Sequence, residues 1–253
     1  MFGNNPIRPR EDNALTLAVQ AIFPTIQGEG PYAGRCATFI RLAGCNLACH
    51  FCDTDFESKI DNHMAVEAIV DQVRSYPEHM QKLVVLTGGE PLRQNIALLV
   101  EMLLTKAGSK TEVVQLETAG TLWNSRLNPW VHRAALRIVC SPKTPQIHPE
   151  VADLCHDWKY IISVRDAAGD DGLPHQGTQT RNKHLTQQIW RRPGGWLPAD
   201  VVWLSPMDES QIPGLVGDNP TRLTANNHMA VAMRAMTFGY RVSLQMHKIL
   251  GVE

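Results

Sequence analysis

An α/β fold built on a parallel sheet is what this sequence predicts, and three observations lead there. Short apolar runs suited to strands buried on both faces recur along the chain. Segments with helical spacing alternate with them. Glycine-rich or polar clusters stand just after the runs, at Gly88-Gly-Glu-Pro91, Glu117-Thr-Ala-Gly120, Ser141-Pro-Lys143 and Ser205-Pro-Met-Asp208. In parallel sheets, closed into a barrel or left open, ligands sit at the carboxyl ends of the strands, so the chemistry is expected there. A length of 253 residues suits one large domain over 1–253 better than two small ones.

Taken in order, Leu15 to Phe23 alternates apolar and polar positions and reads as the first strand. Pro24-Thr-Ile-Gln-Gly-Glu-Gly-Pro31 follows, where two glycines and two prolines argue against regular structure and let backbone come close to a ligand. Val66, Ile69, Val70 and Val73 share one helical face, with Asp61 and Asn62 as expected caps. Lys82 to Thr87 reads as a buried strand, and Leu98, Leu99, Met102 and Leu103 as a second amphipathic helix closed near Gly108. Strands are then expected at Glu112 to Leu116, Leu136 to Cys140, Trp158 to Ile162, Asp200 to Leu204 and Arg241 to Gln245, with a helix around Asn227 to Met236. Between about 164 and 198 the periodicity dissolves, with Trp190-Arg-Arg-Pro-Gly-Gly-Trp196 as its oddest part. Such a length reads as a lid or an insertion, and a loose loop is expected.

Hydrophobic residues make up 43% and charged residues 19%, the balance of an ordinary soluble protein. A net charge of -1 gives no electrostatic reason to expect nucleic acid or an anionic membrane as partner, and small substrates become the default. The first ten residues lack the apolar centre of a signal peptide, and no stretch approaches the ~20 apolar residues of a membrane span. A cytoplasmic location is therefore expected, and the six cysteines are read as reduced thiols or metal ligands.

Three of those cysteines lie within eight residues, Cys45-Asn-Leu-Ala-Cys49-His-Phe-Cys52. A loop this short can wrap three thiolates onto one small inorganic cluster with little chain to order between ligands, which favours iron and sulfur. Three ligands on a four-iron cube would leave one iron open to a small molecule. Structural zinc is the alternative, but it wants four ligands, and only Cys49-x-x-Cys52 makes a pair of that kind. Cys36, Cys140 and Cys155 stand apart. Ten histidines are scattered without forming a ligand pair; His50 reads as an exposed loop residue and His247 as structural.

With the triplet and Gly88-Gly89-Glu90 both in view, the sequence resembles the radical S-adenosylmethionine enzymes, whose cluster motif is C-x3-C-x-aromatic-C. Phe51 supplies the aromatic. Gly88 and Gly89 would then let strand-end carbonyls approach the methionine ammonium. A closer resemblance is to the 7-carboxy-7-deazaguanine synthase family. It is carried by Phe23 to Gly30, Phe39-Ile-Arg41, Gly44 to Asp55, Thr87 to Pro91, Glu117 to Thr121, Ser141 to Lys143, Lys159-Tyr160, Pro206 to Asp208 and Ser243 to Lys248. These blocks leave chiefly the first dozen residues and the 164–198 region outside.

That resemblance implies a truncated, TIM-like barrel of parallel strands. It implies a homodimeric lyase converting 6-carboxy-5,6,7,8-tetrahydropterin to 7-carboxy-7-deazaguanine with loss of ammonia, on the way to queuosine and related 7-deazapurines. The implied cofactors are a [4Fe-4S] cluster on Cys45, Cys49 and Cys52, S-adenosylmethionine, and Mg2+ on Thr54, with Asp53 and Asp55 as alternatives on charge alone. An electron donor of the flavodoxin or ferredoxin kind is implied as partner. Phe51, Gly89, Ser141, Pro142, Lys143, Ser205, Pro206, Met207 and Asp208 carry over as S-adenosylmethionine contacts. Ser205 departs from the glutamine usual there. Ile26, Gln27, Gly28, Arg41, Thr87 and the terminal carboxylate of Glu253 carry over as pterin contacts, Arg41 facing the substrate carboxylate. Glu117 is assigned a catalytic place near the substrate, with capping of the strand end as the other reading. The rival activities are a radical activase, which needs a surface for a protein substrate, and a non-catalytic metal module.

Overall fold

The computed structural model of the protein describes residues 6–166, 168–179, 189–190, 197–209 and 219–252. Nine strands form one open sheet: β1 (Thr16–Ile26), β2 (Cys36–Leu42), β3 (His63–Ala65), β4 (Leu83–Gly88), β5 (Val113–Thr118), β6 (Leu136–Cys140), β7 (Asp157–Ile162), β8 (Val202–Pro206) and β9 (Arg241–Val242). Their spatial order is β3-β1-β2-β4-β5-β6-β7-β8-β9. From β2 through β9 every neighbouring pair is parallel, whereas β1 pairs antiparallel with both β2 and β3. The sheet does not close on itself. It is the open form of the parallel architecture expected from the alternating pattern.

Helices α1 (Val66–Ser75), α2 (Glu78–Gln81), α3 (Ala97–Thr105), α4 (Asn128–His132), α5 (Pro149–Leu154), α6 (Pro220–Phe238) and α7 (Met246–Leu250) complete the described chain. α1 buries Val66, Ile69, Val70 and Val73, the face its spacing predicts. Its N-cap is Ala65, not Asp61 or Asn62. Asn62 instead exchanges hydrogen bonds with Val19 across the β1 to β3 pairing, which the cap signal in the sequence could not distinguish. Helix α3 matches its expected span, and α6 is longer than expected because Asn219 caps it through Thr221 and Arg222.

The first strand also differs, since it runs on through Pro24 to Ile26 in register with β2. β3 pairs only with Thr16 to Ala18, so β1 is an edge strand at Pro24, where a missing N–H is tolerated. The last strand is two residues, not five. Between β7 and β8 the described residues contain no α-helix, yet several of them are packed. Leu173, Ile189, Trp190 and Leu197 are buried in the main core, and Trp190 stacks on Trp158 of β7 with ring centroids 4.4 Å apart. Aromatic burial of this kind covers a sheet face without helical periodicity, which is why the pattern is invisible in sequence.

Candidate active site

Cys45, Cys49 and Cys52 line one hollow at the carboxyl ends of the parallel strands. The loop that carries them is held from beneath by residues of the Gly88-to-Gln94 stretch. Gly44 takes a left-handed φ of 78°. The fully buried Arg93 lies against it, donating to the Ala43 and Pro9 carbonyls at 3.0 and 3.1 Å and to Glu11 at 2.6 Å. Gln94 donates to Ala43 O and Ala18 O and accepts from Ala18 N. The N-terminal segment closes the other side, with Arg8 N donating to Cys45 O at 2.7 Å.

Gly88 and Gly89 have a packing reason beyond the one expected. A Cβ on Gly88, whose φ is 140°, would fall 2.1 Å from Leu42 O, and one on Gly89 would fall 2.1 Å from Gly44 O. The two glycines therefore let the ends of β2 and β4 meet beneath the cysteine loop, while both also line the hollow. Glu90 turns away into the core, accepting from Leu92 N, Thr118 Oγ1 and Ala119 N at 2.7–3.0 Å. Burial pushes its pKa up despite these bonds. Its service is to tie the end of β4 to the end of β5.

The donor set suits an iron-sulfur cluster. Burial pushes the Cys45 and Cys52 thiols up, Cys52 to about 11, so a metal centre would supply the positive charge their thiolates lack. Structural zinc wants four ligands, and among the described residues the lining of the hollow adds no histidine and no fourth cysteine to the triplet. His50 is turned to the Thr178 carbonyl and is absent from the lining. Cys36 is exposed at the start of β2, while Cys140, buried, and Cys155, half-buried, are not on the hollow's lining.

Phe51, Gly89, Ser141, Lys143, Ser205, Pro206, Met207 and Asp208 line the same hollow; Pro142 does not. Burial holds the Lys143 pKa down; its ammonium contacts Ser141 and sits 5.9 Å from the Phe51 ring centroid. The Met207 segment is fixed by the buried Asn227 of α6, which donates to Met207 O at 2.9 Å. Asp208 is paired with Lys248 at 2.7 Å.

A second hollow adjoins the first and shares Thr54, Thr87, Gly88 and Glu117 with it. Ile26, Gln27 and Arg41 line this half. Arg41 lies over the Phe23 ring at 5.4 Å, and among the described residues no carboxylate forms an ion pair with it. Gly28 is not on the lining. It sits against α7, where a Cβ would fall 2.4 Å from His247 Nδ1, and its carbonyl accepts from Met246 N. Glu253 lies outside the described residues.

Between the halves stands a group that sequence reasoning left without a role. Lys159 reaches Glu29 at 2.7 Å and Glu117 at 3.8 Å. Burial opposes its charge, but Glu117 and Glu29 outweigh burial and raise its pKa. Glu29 is half-buried, and the Lys159 ammonium outweighs burial and holds its carboxyl below the usual range. Glu117 also accepts from Gln27 and Gln115 at 3.1 and 2.9 Å, so it points into the cavity and does not cap its strand. The available signal was a lysine in the otherwise apolar middle of β7. Thr54 lies on both halves. Its acidic neighbours are engaged: Asp53 pairs with Lys248 at 2.9 Å, and Asp55 accepts from Glu57 N and Ser58 N.

The comparisons agree with this arrangement. The family described as the radical SAM superfamily matches residues 39–178, which include all three cysteines of the hollow. The 7-carboxy-7-deazaguanine synthase of Rhodospirillum rubrum is 40% identical over the full length of both chains. That of Rickettsia prowazekii is 35% identical, covering all of this chain and 96% of its own. Among solved structures, QueE from Escherichia coli superposes with a TM-score of 0.56 at 17% identity, covering 91% of this chain and 94% of its own, a likeness of fold. An open parallel sheet, a three-cysteine loop at its carboxyl edge and relatives matched from end to end together place this chain in the 7-carboxy-7-deazaguanine synthase family of radical SAM enzymes.

Proposed function

We infer that this chain converts 6-carboxy-5,6,7,8-tetrahydropterin to 7-carboxy-7-deazaguanine with loss of ammonia, a step towards queuosine and related 7-deazapurines. The observation that carries the reading is the double hollow: three cysteines, Phe51 and Asp208 in one half, Gln27 and Arg41 in the other, with Thr54, Thr87 and Glu117 between. Cys45, Cys49 and Cys52 hold a [4Fe-4S] cluster in this reading. Bound there, the cluster supplies the electron that cleaves S-adenosylmethionine to a 5'-deoxyadenosyl radical.

The chain's own residues do the rest. Gly89, Ser141, Lys143 and the Ser205-to-Asp208 segment bind and orient the cofactor at the strand ends. Arg41, free of a described acidic partner and fixed over Phe23, presents its planar fork to the substrate carboxylate. Ile26 and Gln27 meet the pterin's donor and acceptor edge. Glu117, 3.8 Å from Lys159, is placed to accept hydrogen bonds from substrate amine groups or take a proton there. Thr54 offers an oxygen to Mg2+; with Asp53 and Asp55 engaged elsewhere, the ion would keep waters and the substrate carboxylate in its octahedron. A homodimer in the cytoplasm, reduced by a flavodoxin or ferredoxin, completes the proposal.

Anaerobic incubation of the reduced, reconstituted enzyme with the tetrahydropterin and S-adenosylmethionine tests it. The expected result is 7-carboxy-7-deazaguanine with substrate-dependent 5'-deoxyadenosine. Cofactor cleavage that ignores the pterin would reject the substrate and favour a radical activase.

A further inference from the structure

The 164–198 region has no part in the reaction as described above, yet its described residues bear on the cysteine loop. Thr178 Oγ1 and Gln179 Nε2 each lie 3.1 Å from Cys49 Sγ. Both residues are buried, at 8% and 4% exposure. Their seat is built from main chain: Thr178 N donates to Lys143 O at 3.0 Å, and His50 N donates to Thr178 O at 3.1 Å. Ala48 N donates to Gln179 Oε1 at 2.8 Å, and Cys49 forms an antiparallel bridge with Gln179.

The Gln179 amide nitrogen has two hydrogens, one for the sulfur and one for Thr178 Oγ1 at 3.2 Å. The Thr178 hydroxyl, having accepted, has one hydrogen and two acceptors in reach, the Cys49 sulfur at 3.1 Å and Lys143 O at 3.4 Å, and the shorter contact takes it. Two buried donors thus aim at the middle cysteine of the triplet. Hydrogen bonds to a ligating sulfur draw off negative charge and favour the reduced cluster, so they raise its reduction potential.

We propose that Thr178 and Gln179 are positioning residues for the cluster, fixing the Cys49 sulfur and raising the potential at which the bound cluster accepts its electron. The inference rests on the assignment of Cys45, Cys49 and Cys52 as ligands. It gives two described residues of the aperiodic region a definite task, which is to hold the cysteine loop at Cys49 as the N-terminal segment holds it at Cys45.

The test is a redox titration of the reconstituted holoenzyme followed by electron paramagnetic resonance, with iron release to a chelator measured alongside. Thr178→Val and Gln179→Met remove the two donors at nearly constant shape, the second also taking the acceptor of Ala48 N, so Thr178→Val is the cleaner arm. Both are expected to shift the midpoint to more negative values and to release iron roughly tenfold faster. Thr178→Ser keeps the donor and should behave as the parent. Parental midpoints and release rates in the Val and Met variants overturn the inference, and so does a Ser variant that shifts as far as Val. If Val and Met hold no iron while Ser does, positioning by the donors is upheld; if Ser fails with them, packing explains the loss and the proposal falls. A parent enzyme that takes up no [4Fe-4S] cluster refutes the ligand assignment instead.

Discussion

Lys159 shows how one side chain sets the charge of the site. Its ammonium is 2.7 Å from the half-buried Glu29 and 3.8 Å from Glu117, so removing it leaves carboxylates on the wall of the hollow without their cation. Breaking a buried pair in this way costs about 3–5 kcal/mol. The pH dependence has a definite sign. In the parent, Glu29 is held below its usual value, so its contribution is complete above about pH 4.3 and is lost as pH falls through the folded value. Lys159 is raised, so its contribution is complete below about pH 10.4 and is lost as pH rises through the folded value. In Lys159→Met the carboxyl of Glu29 is pushed up, the folded state binds the extra proton, and the cost of the substitution grows as pH rises. Urea unfolding at pH 5, 6, 7 and 8 should show that divergence from the parent; a constant difference would mean that the pair is not coupled as the distances suggest. Thr54 gives the second prediction. Thr54→Val keeps the shape and removes the oxygen, so Mg2+ stimulation of turnover should vanish while iron content stays parental. A variant that responds to Mg2+ as the parent does would move the ion elsewhere.

At the level of elements, the cysteine loop is positioned by what lies under it. β2 and β4 end side by side, and two glycines allow them to touch. Gly88→Ala adds a Cβ against Leu42 backbone at a φ of 140°, where neither the strand nor the rotamer can give. A loss of about 2–4 kcal/mol is expected, from overpacking and backbone strain together. Gly89→Ala presses on Gly44 O and Cys45 Cβ instead, so iron uptake should fall more than thermal stability does. Comparing iron content and melting temperature in the two variants checks the division; equal iron content in both would break it. The Gly88-Gly89-Glu90 cluster was legible in the sequence because glycine after an apolar run is rare punctuation. Its structural reason was not, because the near contact is with β2, some forty residues earlier. The cap assigned to Asp61 and Asn62 failed for a similar cause: Asn62 serves a strand pairing with Val19, and nothing local announces a three-residue strand. Glu117 and Thr54 were legible as candidates, but Glu29 and Lys159 meet across 130 residues, and their role exists only once the sheet is formed.

Across the whole molecule, the sheet is one continuous surface whose ends are stitched by long-range bonds. The main core extends from Leu17 of β1 to Tyr240 beside β9 and takes in Trp190 from the aperiodic region, and a smaller cluster joins Ala37, Leu83, Val85 and Val113. The parallel order was legible because each strand is a short apolar run followed by its polar cluster. The placement of residues 6–12 and of the described residues within 164–198 was not, since neither stretch has periodicity and their contacts with the cysteine loop, through Arg8 and through Thr178 and Gln179, are long-range. Their contribution is testable through Arg93, which is fully buried and whose guanidinium meets Glu11 at 2.6 Å. Glu11 is itself 42% exposed on its side chain, so solvent screens the pair, and Glu11→Gln should cost about 1–2 kcal/mol, more than a surface pair does. The loss should appear in a single transition, because the core has no seam at which part of the sheet is able to melt alone. Calorimetry of parent and variant settles the point: equal calorimetric and van't Hoff enthalpies in both are expected for one domain over 1–253. Two transitions, with only one displaced by the substitution, would divide the chain into separately folding parts and confine the N-terminal contact to one of them.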